Sequence, residues 1–476
     1  MNKTKFKRYI VLLSFGLVVI SCSPALTPLV VTKGVPESFE KKTDTTNTAS
    51  MPWRTYFKDQ NLINLIDTAL KNNQELQITL QEIEIAKNDI RVRKGAILPQ
   101  VTLGAGLGVE KVGRYTSQGA GDASTQIKPG KEMPDPLGDF KLGAYANWEV
   151  DIWKKLRNSK KAAVNRYLST VEGKNFVITN LIAEVANSYY ELLALDSQLE
   201  IVKKNIALQS DALEIVKVQK EAARATELAV QKFQAEVLAS KSMEFDILQS
   251  IKETENKINF LLGQYPQEIK RDRSDLVKLL PNTLYYGVPS QLLTNRPDIK
   301  QAEFELEAAK LDVKTARAEF YPSLDITASI GVNAFKPTYL FTFPESLLYS
   351  LAGDLVAPVI NRNAIKAEYS SANSRQIQAL YNYERTVLNA FVEVSTQMSR
   401  IDNLEKSYAL KSQQVASMNR SIDVAGDLFK SARVDYFEVL MTQRDALESQ
   451  LELIATKKEQ FNSAITLYKV LGGGWK

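Results

Sequence analysis

Residues 70–109 read LKNNQELQITLQEIEIAKNDIRVRKGAILPQVTLGAGLGV, and residues 293–332 read LTNRPDIKQAEFELEAAKLDVKTARAEFYPSLDITASIGV. The two stretches align without gaps at an offset of 223 residues. Leu70, Ala86, Lys87, Pro99, Gly108 and Val109 recur as Leu293, Ala309, Lys310, Pro322, Gly331 and Val332. Later segments align at an offset of 209, where Glu184, Val185, Val230, Gln234, Leu262 and Gly263 recur as Glu393, Val394, Val439, Gln443, Leu471 and Gly472. The offset shrinks because the first half has the longer loop between its strands. The chain is therefore a duplication, and each half reads helix, strand pair, long helix, turn, long helix.

The end of each quoted stretch changes period from helical to alternating. In 100–109, Val101, Leu103, Ala105, Leu107 and Val109 alternate with Gln, Thr and Gly. The same period of two runs through 141–153, 323–333 and, more weakly, 350–360. Strands of about ten residues with one apolar and one polar face suit a transmembrane barrel, and a half-buried soluble sheet gives the same pattern. Strand number narrows the choice. Barrels in membranes start at about eight strands, and lipid does not tolerate an open sheet edge. Either the sheet is soluble, or several chains share one barrel.

Proline and glycine punctuate the remainder. No proline falls between Pro136 and Pro266 or after Pro358, and Gly173 and Gly426 are the only glycines within 154–262 and 360–471. Both tracts are rich in strong helix formers. Val185, Leu192, Leu199, Ile206 and Leu213 repeat every seven residues, with Leu195, Val202 and Val216 on the companion seam, which is coiled-coil packing. The seams break at KEAARATEL (220–228) and KSARVDYFEV (430–439), where tight helix–helix turns are predicted. A helix from Lys154 to Ala222 is about 100 Å long at about 1.5 Å per residue.

The N-terminus carries an address. Lys3, Lys5, Lys7 and Arg8 precede a short apolar run from Tyr9 to Ile20, the pattern of a secretory signal. The single cysteine of the chain, Cys22, follows directly in VISCSP (19–24). Val19 and Ser21 fit the spacing of a lipobox, so Cys22 resembles the acylated first residue of a bacterial lipoprotein. With that thiol acylated, no disulfide is available. The chain contains no histidine, which removes the commonest general base and metal ligand. There is no paired catalytic motif, phosphate loop or metal-ligand cluster, so no enzyme, cofactor or metal is expected. The formal charge of +5 falls near +1 without the four basic residues of the signal, which gives no reason to expect a nucleic-acid partner. The scattered methionines read as packing fillers.

Three further stretches carry a resemblance: NWEVDIWKKLRNSKKAA (147–163), NRPDIKQAEFELEAAKLDVKTARAEFYPSL (295–324) and LYKVLGGGW (467–475). With the repeat and the order of elements, they resemble the TolC-type outer-membrane efflux proteins, in particular the OprM/NodT lipoprotein branch. That resemblance spans about Asn61 to Trp475. It implies a mixed α and β fold, in which a homotrimer builds a 12-stranded transmembrane β-barrel. A long periplasmic coiled-coil barrel of α-helices continues it. The chain then divides into a signal peptide (1–21), a lipidated N-terminal segment (22–60), a first repeat (61–266), a linker (267–292) and a second repeat (293–476). Strand pairs are expected at about 100–113 with 139–153, and about 323–335 with 349–360.

The resemblance further implies a lipid-anchored exit duct in the outer membrane for small molecules. It would work with a periplasmic adaptor (membrane fusion) protein and an inner-membrane RND-type pump. A duct for type I protein secretion and a structural coiled-coil lipoprotein are the alternatives. The two turns, with Ala223, Arg224, Ala432 and Arg433, become the expected adaptor-contacting tip. Alanine stands at Ala223 and Ala432 where the family usually has glycine, so local differences are expected there. Glu438, on a family position for acidic gate residues, joins Asp435 and Arg433 as the expected gate, while Met441 occupies the other such position. Cys22→Ser is expected to leave an uncleaved, non-acylated precursor, and intact-mass spectrometry of the membrane-extracted chain reads this directly.

Overall fold

The computed structural model describes residues 24–25, 34, 36–39, 46–272, 276, 285–360, 362–431 and 433–475. Cys22 and Ala432 lie outside the described residues. After α1 (Trp53–Tyr56), which precedes it, the first repeat holds α2 (Gln60–Asn72), α3 (Gln74–Gly95), β1 (Gln100–Glu110), α4 (Ser117–Ser124), β2 (Gln126–Lys128), β3 (Lys131–Glu132), β4 (Leu137–Val150), α5 (Lys155–Glu221) and α6 (Glu227–Leu261). The second contains α7 (Ser290–Asn295), α8 (Pro297–Ala318), β5 (Ser323–Ala334), β6 (Leu347–Val356), α9 (Asn363–Lys430) and α10 (Tyr436–Val470). Two compact units cut across these repeats. One is built on Glu84–Leu168 and Phe304–Tyr381, the other on Val31–Ile83, Ser169–Glu303 and Asn382–Lys476, so each draws on both halves.

The first unit holds a four-stranded antiparallel sheet in the order β1-β4-β5-β6. The β4–β5 pairing joins the two halves of the chain, and β1 and β6 form its edges. The corner from β4 into α5 is tightly specified. Ile152 N–H turns back onto the Val150 carbonyl at 2.8 Å, so the strand ends at Val150 rather than at the expected 153. Asp151 then accepts from the N–H groups of Leu156 and Arg157, both at 3.0 Å, and from Arg157 Nε at 2.9 Å. Those donors open a helix and have no helical partner of their own. Lys154, between them, takes a left-handed φ of 62°. The Trp153 indole donates to the Pro322 carbonyl at 2.8 Å and its ring stacks on Tyr321, while the Trp148 indole donates to the Ile97 carbonyl at 3.0 Å. Both tryptophans thus tie strand ends to the residues that lead into a neighbouring strand.

Two other expectations are corrected in this unit. The stretch 114–138, which the expected strand bounds leave as the longer loop, is rich in Gly, Pro and Ser yet contains helix α4 and the β2–β3 hairpin. Thr116 caps α4 by accepting from Gly119 N–H at 3.1 Å, which gives a short helix a defined start. Strand β6 stops at Val356, short of the expected 360, because Pro358 has no N–H to donate to a ladder.

The second unit is helical. Its main core gathers Leu62 and Ile66 of α2, Ile182, Val185, Tyr189, Leu192 and Val202 of α5, Ile258 of α6, and Ile454 and Tyr468 of α10. The heptad seam read from the sequence is therefore buried core over this stretch. Buried Arg271 clamps the segment that leaves α6, with Asp196 of α5 at 2.5 Å and Glu255 of α6 at 2.7 Å. Burial opposes the charge of its guanidinium, and the two carboxylates outweigh that and raise its pKa.

The duplication is visible in contacts. Gly263 ends α6 at φ 65° and Gly472 ends α10 at φ 88°. Each closes its helix with paired backbone bonds, Gly263 to Phe260 and Gln264 to Asn259 in one, Gly472 to Lys469 and Gly473 to Tyr468 in the other. Gly263 rests against the Asn72 carbonyl and Gly472 against that of Asn295, where an added Cβ would fall 2.6 Å from the oxygen in both cases. Asn72 and Asn295 are themselves partners in the 223-residue repeat. The next residue carries the difference. Asn73 Nδ2 donates to the Leu261 carbonyl at 3.0 Å, and Arg296 Nη1 donates to the repeat-related Val470 carbonyl at 2.9 Å. Arg296 also binds Asp298 at 2.7 Å and Glu393 at 2.8 Å. Trp475 finishes the joint by donating to the Asn295 carbonyl at 3.1 Å. The NRPD and LGGGW motifs are thus two sides of one contact. Arg296→Ala strips a buried network of its only cation and is expected to destabilise this unit by about 3 kcal/mol. A thermal-unfolding comparison in detergent, with exposed Arg420→Ala as control, checks it.

Candidate functional site: a two-faced sheet and two helical turns

The strand register sorts the sheet into two faces. Leu103 pairs Ala144, which pairs Ile330, which pairs Tyr349; Val101, Ala146, Ala328 and Leu351 make the row beside it. Together with Leu107, Phe140, Leu142, Val332, Leu324 and Leu355, these residues form one apolar face from edge to edge. Much of it is bare in the single chain: Leu103 is 86% exposed, Leu107 84% and Leu351 79%. The opposite face carries Thr102, Lys141, Tyr145, Asn147, Asp325, Thr327, Ser329, Asn333, Ser350 and Asp354. Asp139 on this face accepts from Asn333 Nδ2 at 3.0 Å and pairs with Lys141 at 3.3 Å. Gly104 and Gly106 also lie there, under the Tyr145 ring and the Lys141 chain. An apolar face of this size has no business in water, and it matches the outward band of a membrane barrel. Among the described residues no helix is long and apolar enough to cross a membrane.

The helical turns lie where the seams break. After α5, Ala223 N–H donates to the Lys220 carbonyl at 2.9 Å and Arg224 N–H to the Gln219 carbonyl at 2.8 Å, the paired bonds of a Schellman closure. That closure needs a left-handed residue, and Ala223 supplies it at φ 55°. Alanine adopts the conformation expected of a family glycine instead of changing the turn. Thr226 then caps α6 by accepting from Ala229 N–H at 3.2 Å. Lys220 and Glu227 form an ion pair across the turn. The hydrogen bond from Lys220, aided by Gln231, holds the exposed Glu227 carboxyl below the usual glutamate range. Its folded pKa is depressed, so this link is present at neutral pH and is lost as pH falls through that lowered value.

The second turn keeps the frame and changes the chemistry. Arg433 N–H donates to the Leu428 carbonyl at 2.9 Å, matching Arg224. Phe429 and Tyr436 stand at the positions of Lys220 and Glu227, and both pack on the core of Leu213, Val216, Phe233, Val237 and Leu440. Asp435 sits at the N-cap of α10 and makes no side-chain cap bond. Glu438 lies in the first turn of α10. Arg224, Arg433, Asp435 and Glu438 are all exposed. Lys232 of α6 lies over the ring of Phe437, 5.1 Å from its centre, and links the two hairpins. That contact, and the exchange of an ion pair for two rings, was not read from the sequence. The residues align, but only side-chain geometry shows that they replace one another.

A sheet with one exposed apolar face, in one chain with repeat-related helices of 67 and 68 residues, is the architecture of a membrane protein with a long helical section. The comparisons agree. The family model described as "Outer membrane efflux protein" matches residues 65–264 and 288–473, so the chain belongs to that family. The pyoverdine export outer membrane protein OpmQ of Pseudomonas aeruginosa is 28% identical over 425 residues, 89% of this chain and 87% of that protein. The cation efflux system protein CusC of Escherichia coli O6:H1 is 27% identical over 429 residues, covering 89% and 88%. In structure, the open-state outer membrane channel MtrE of Neisseria gonorrhoeae matches with a TM-score of 0.83 at 22% identity, covering 95% of this chain and 98% of that one. This protein is an outer-membrane efflux channel, and its family is one of transport ducts.

Ala223→Gly removes the left-handed penalty and adds unfolded-state entropy, for a net gain of about 0.5 kcal/mol, whereas Ala223→Val, whose β-branching resists a left-handed φ still more than alanine does, is expected to destabilise the turn. Hydrogen exchange across residues 219–230 in the three proteins separates these outcomes.

Proposed function

We propose that three copies of this chain close one outer-membrane barrel and act as the passive exit duct of a tripartite efflux system. The observation that carries this reading is the four-stranded sheet with both edges unpaired and one face wholly apolar. Edges in lipid must be paired. Two copies would give eight strands, a barrel just wide enough for its own side chains to fill. Three give twelve and leave a lumen lined by the polar face. Long paired helices extend the wall into the periplasm, and the two turns form its tip. There Ala223, Arg224, Ala432 and Arg433 meet a periplasmic adaptor that links the duct to an RND-type inner-membrane pump.

Acylation of Cys22 anchors the chain. Tyr369, early in α9, donates its hydroxyl to the Ala25 carbonyl at 3.0 Å, and Ala25 stands three residues after Cys22 in sequence. This supports a lipid chain held beside the helix that follows β6. The relatives' names point to pyoverdine in one case and cations in the other, and exported small molecules are the class this duct shares with them.

Glu438, Asp435 and Arg433 form the gate. Three copies of an acidic residue around one axis make a ring that favours cations, and most strongly multivalent ones. Detergent-purified protein is expected to run as a trimer on unheated gels and to conduct in planar bilayers; a non-conducting monomer would mean a coiled-coil lipoprotein instead. Glu438→Gln is expected to lower cation selectivity and weaken block by trivalent cations. If it and Asp435→Asn both behave as wild type, the constriction lies at other residues.

A further inference from the structure

The first unit carries a cleft of about 570 Å³, open on one side, within the range of small-molecule sites, roughly 300–1,000 Å³. It lies where the polar face of the sheet meets the loop from β5 to β6. Glu110 ends β1, Asp139 lies near the start of β4 and Asn333 near the end of β5, all on that polar face, and Phe335, Tyr339 and Glu345 belong to the loop. Leu137 and Ile127 add apolar wall.

The chemistry of this lining is selective. Asp139 is already engaged by Lys141 and Asn333. Among the described residues, Glu110 and Glu345 have no hydrogen-bond or ion-pair partner, and none of those that line the cavity is cationic. Two free carboxylates repel anions and attract cations. Phe335 and Tyr339 meet edge to face with ring centres 5.5 Å apart. Ring faces attract cations, and their bodies suit apolar groups. Among the described residues no three acids converge closely enough to hold a metal ion. Carboxylates, rings and aliphatic wall together fit a larger guest with one diffuse charge.

We propose that this cavity is a binding site for organic cations with an aromatic or branched apolar body, each protomer contributing its own. The inference rests on the exit-duct reading, which turns the polar face toward the transported solute. The site is then the last contact inside the barrel for a cationic substrate, and one that gives such substrates an advantage over anions of equal size.

The test uses the full-length, detergent-solubilised protein and ethidium, a planar aromatic monocation, followed by fluorescence anisotropy at fixed ionic strength. Saturable binding is expected, weakened at least tenfold in the double variant Glu110→Gln, Glu345→Gln and several-fold in Tyr339→Leu. Retention of the unheated oligomer band verifies that the variants are folded. An unchanged Kd in the double variant, no saturable binding to wild type, or equal affinity for the anion 8-anilinonaphthalene-1-sulfonate would each overturn the site. The same preparation is assayed for bilayer conductance. A protein that binds ethidium as expected but never conducts keeps the site and loses the duct; one that conducts without carboxylate-dependent binding keeps the duct and loses the site.

Discussion

A strand in lipid must give every backbone N–H and C=O to a neighbour, because no water is there to take them. Within this chain that demand is met for β4 and β5 and left open at one side of β1 and of β6. The apolar face requires the membrane, the membrane forbids the edges, and among the described residues no further strand is long enough to cover them. Closure by other copies is the remaining solution. Much else is subordinate to it: the strand–helix corner capped by Asp151, the indole bonds of Trp148 and Trp153, and the glycines under Tyr145 and Lys141 set where strands end and how they curl.

Duplication explains how one chain supplies both strand pairs in a shared frame. Each half ends its last helix on a left-handed glycine pressed against an asparagine carbonyl from the start of the same half. Little freedom remains at that spot, since any side chain would strike backbone and would resist the positive φ. The residues just beyond were free to differ. Asn73 makes one bond to the helix end, where Arg296 makes it and adds two carboxylates. A buried cation with several partners is costly to strip but fixes one arrangement. The second half thus joins α7, α8, α9 and α10 at a point where the first half has a simpler neutral contact.

Much of this was legible in the sequence because it rests on period and punctuation. Alternation at Val101 to Val109 and Leu324 to Val332 marked strands and their apolar face, and the Val185 to Leu213 heptads marked the buried seam. The long gaps without proline, each with a single glycine, marked the two tracts that hold α5 with α6 and α9 with α10, and the breaks in the seams marked the turn inside each. What was hidden depends on local geometry. Nothing in the alternation reveals that Ile152 folds back to end β4, since Ile152 continues the apolar pattern. The composition of 114–138 is that of a loop, yet Thr116 is enough to start a helix there. The cavity draws on the ends of β1, β4 and β5 and on a loop, and residues so far apart in sequence share no motif.

The two hairpin turns show how an old frame tolerates new chemistry. Their backbone closure is the same, with Arg224 and Arg433 donating to equivalent carbonyls. Around it, one turn is held by a solvent-exposed ion pair and a threonine cap. The other rests on two rings against the core and leaves Asp435 without a cap bond. An exposed pair contributes little and is screened by salt, whereas buried aromatic area is indifferent to both salt and pH. The first turn is therefore the one whose order responds to ionic conditions, although its helix is better capped. Lys232 over Phe437 is the contact that joins the two hairpins, and it falls at the start of α10, one residue before Glu438.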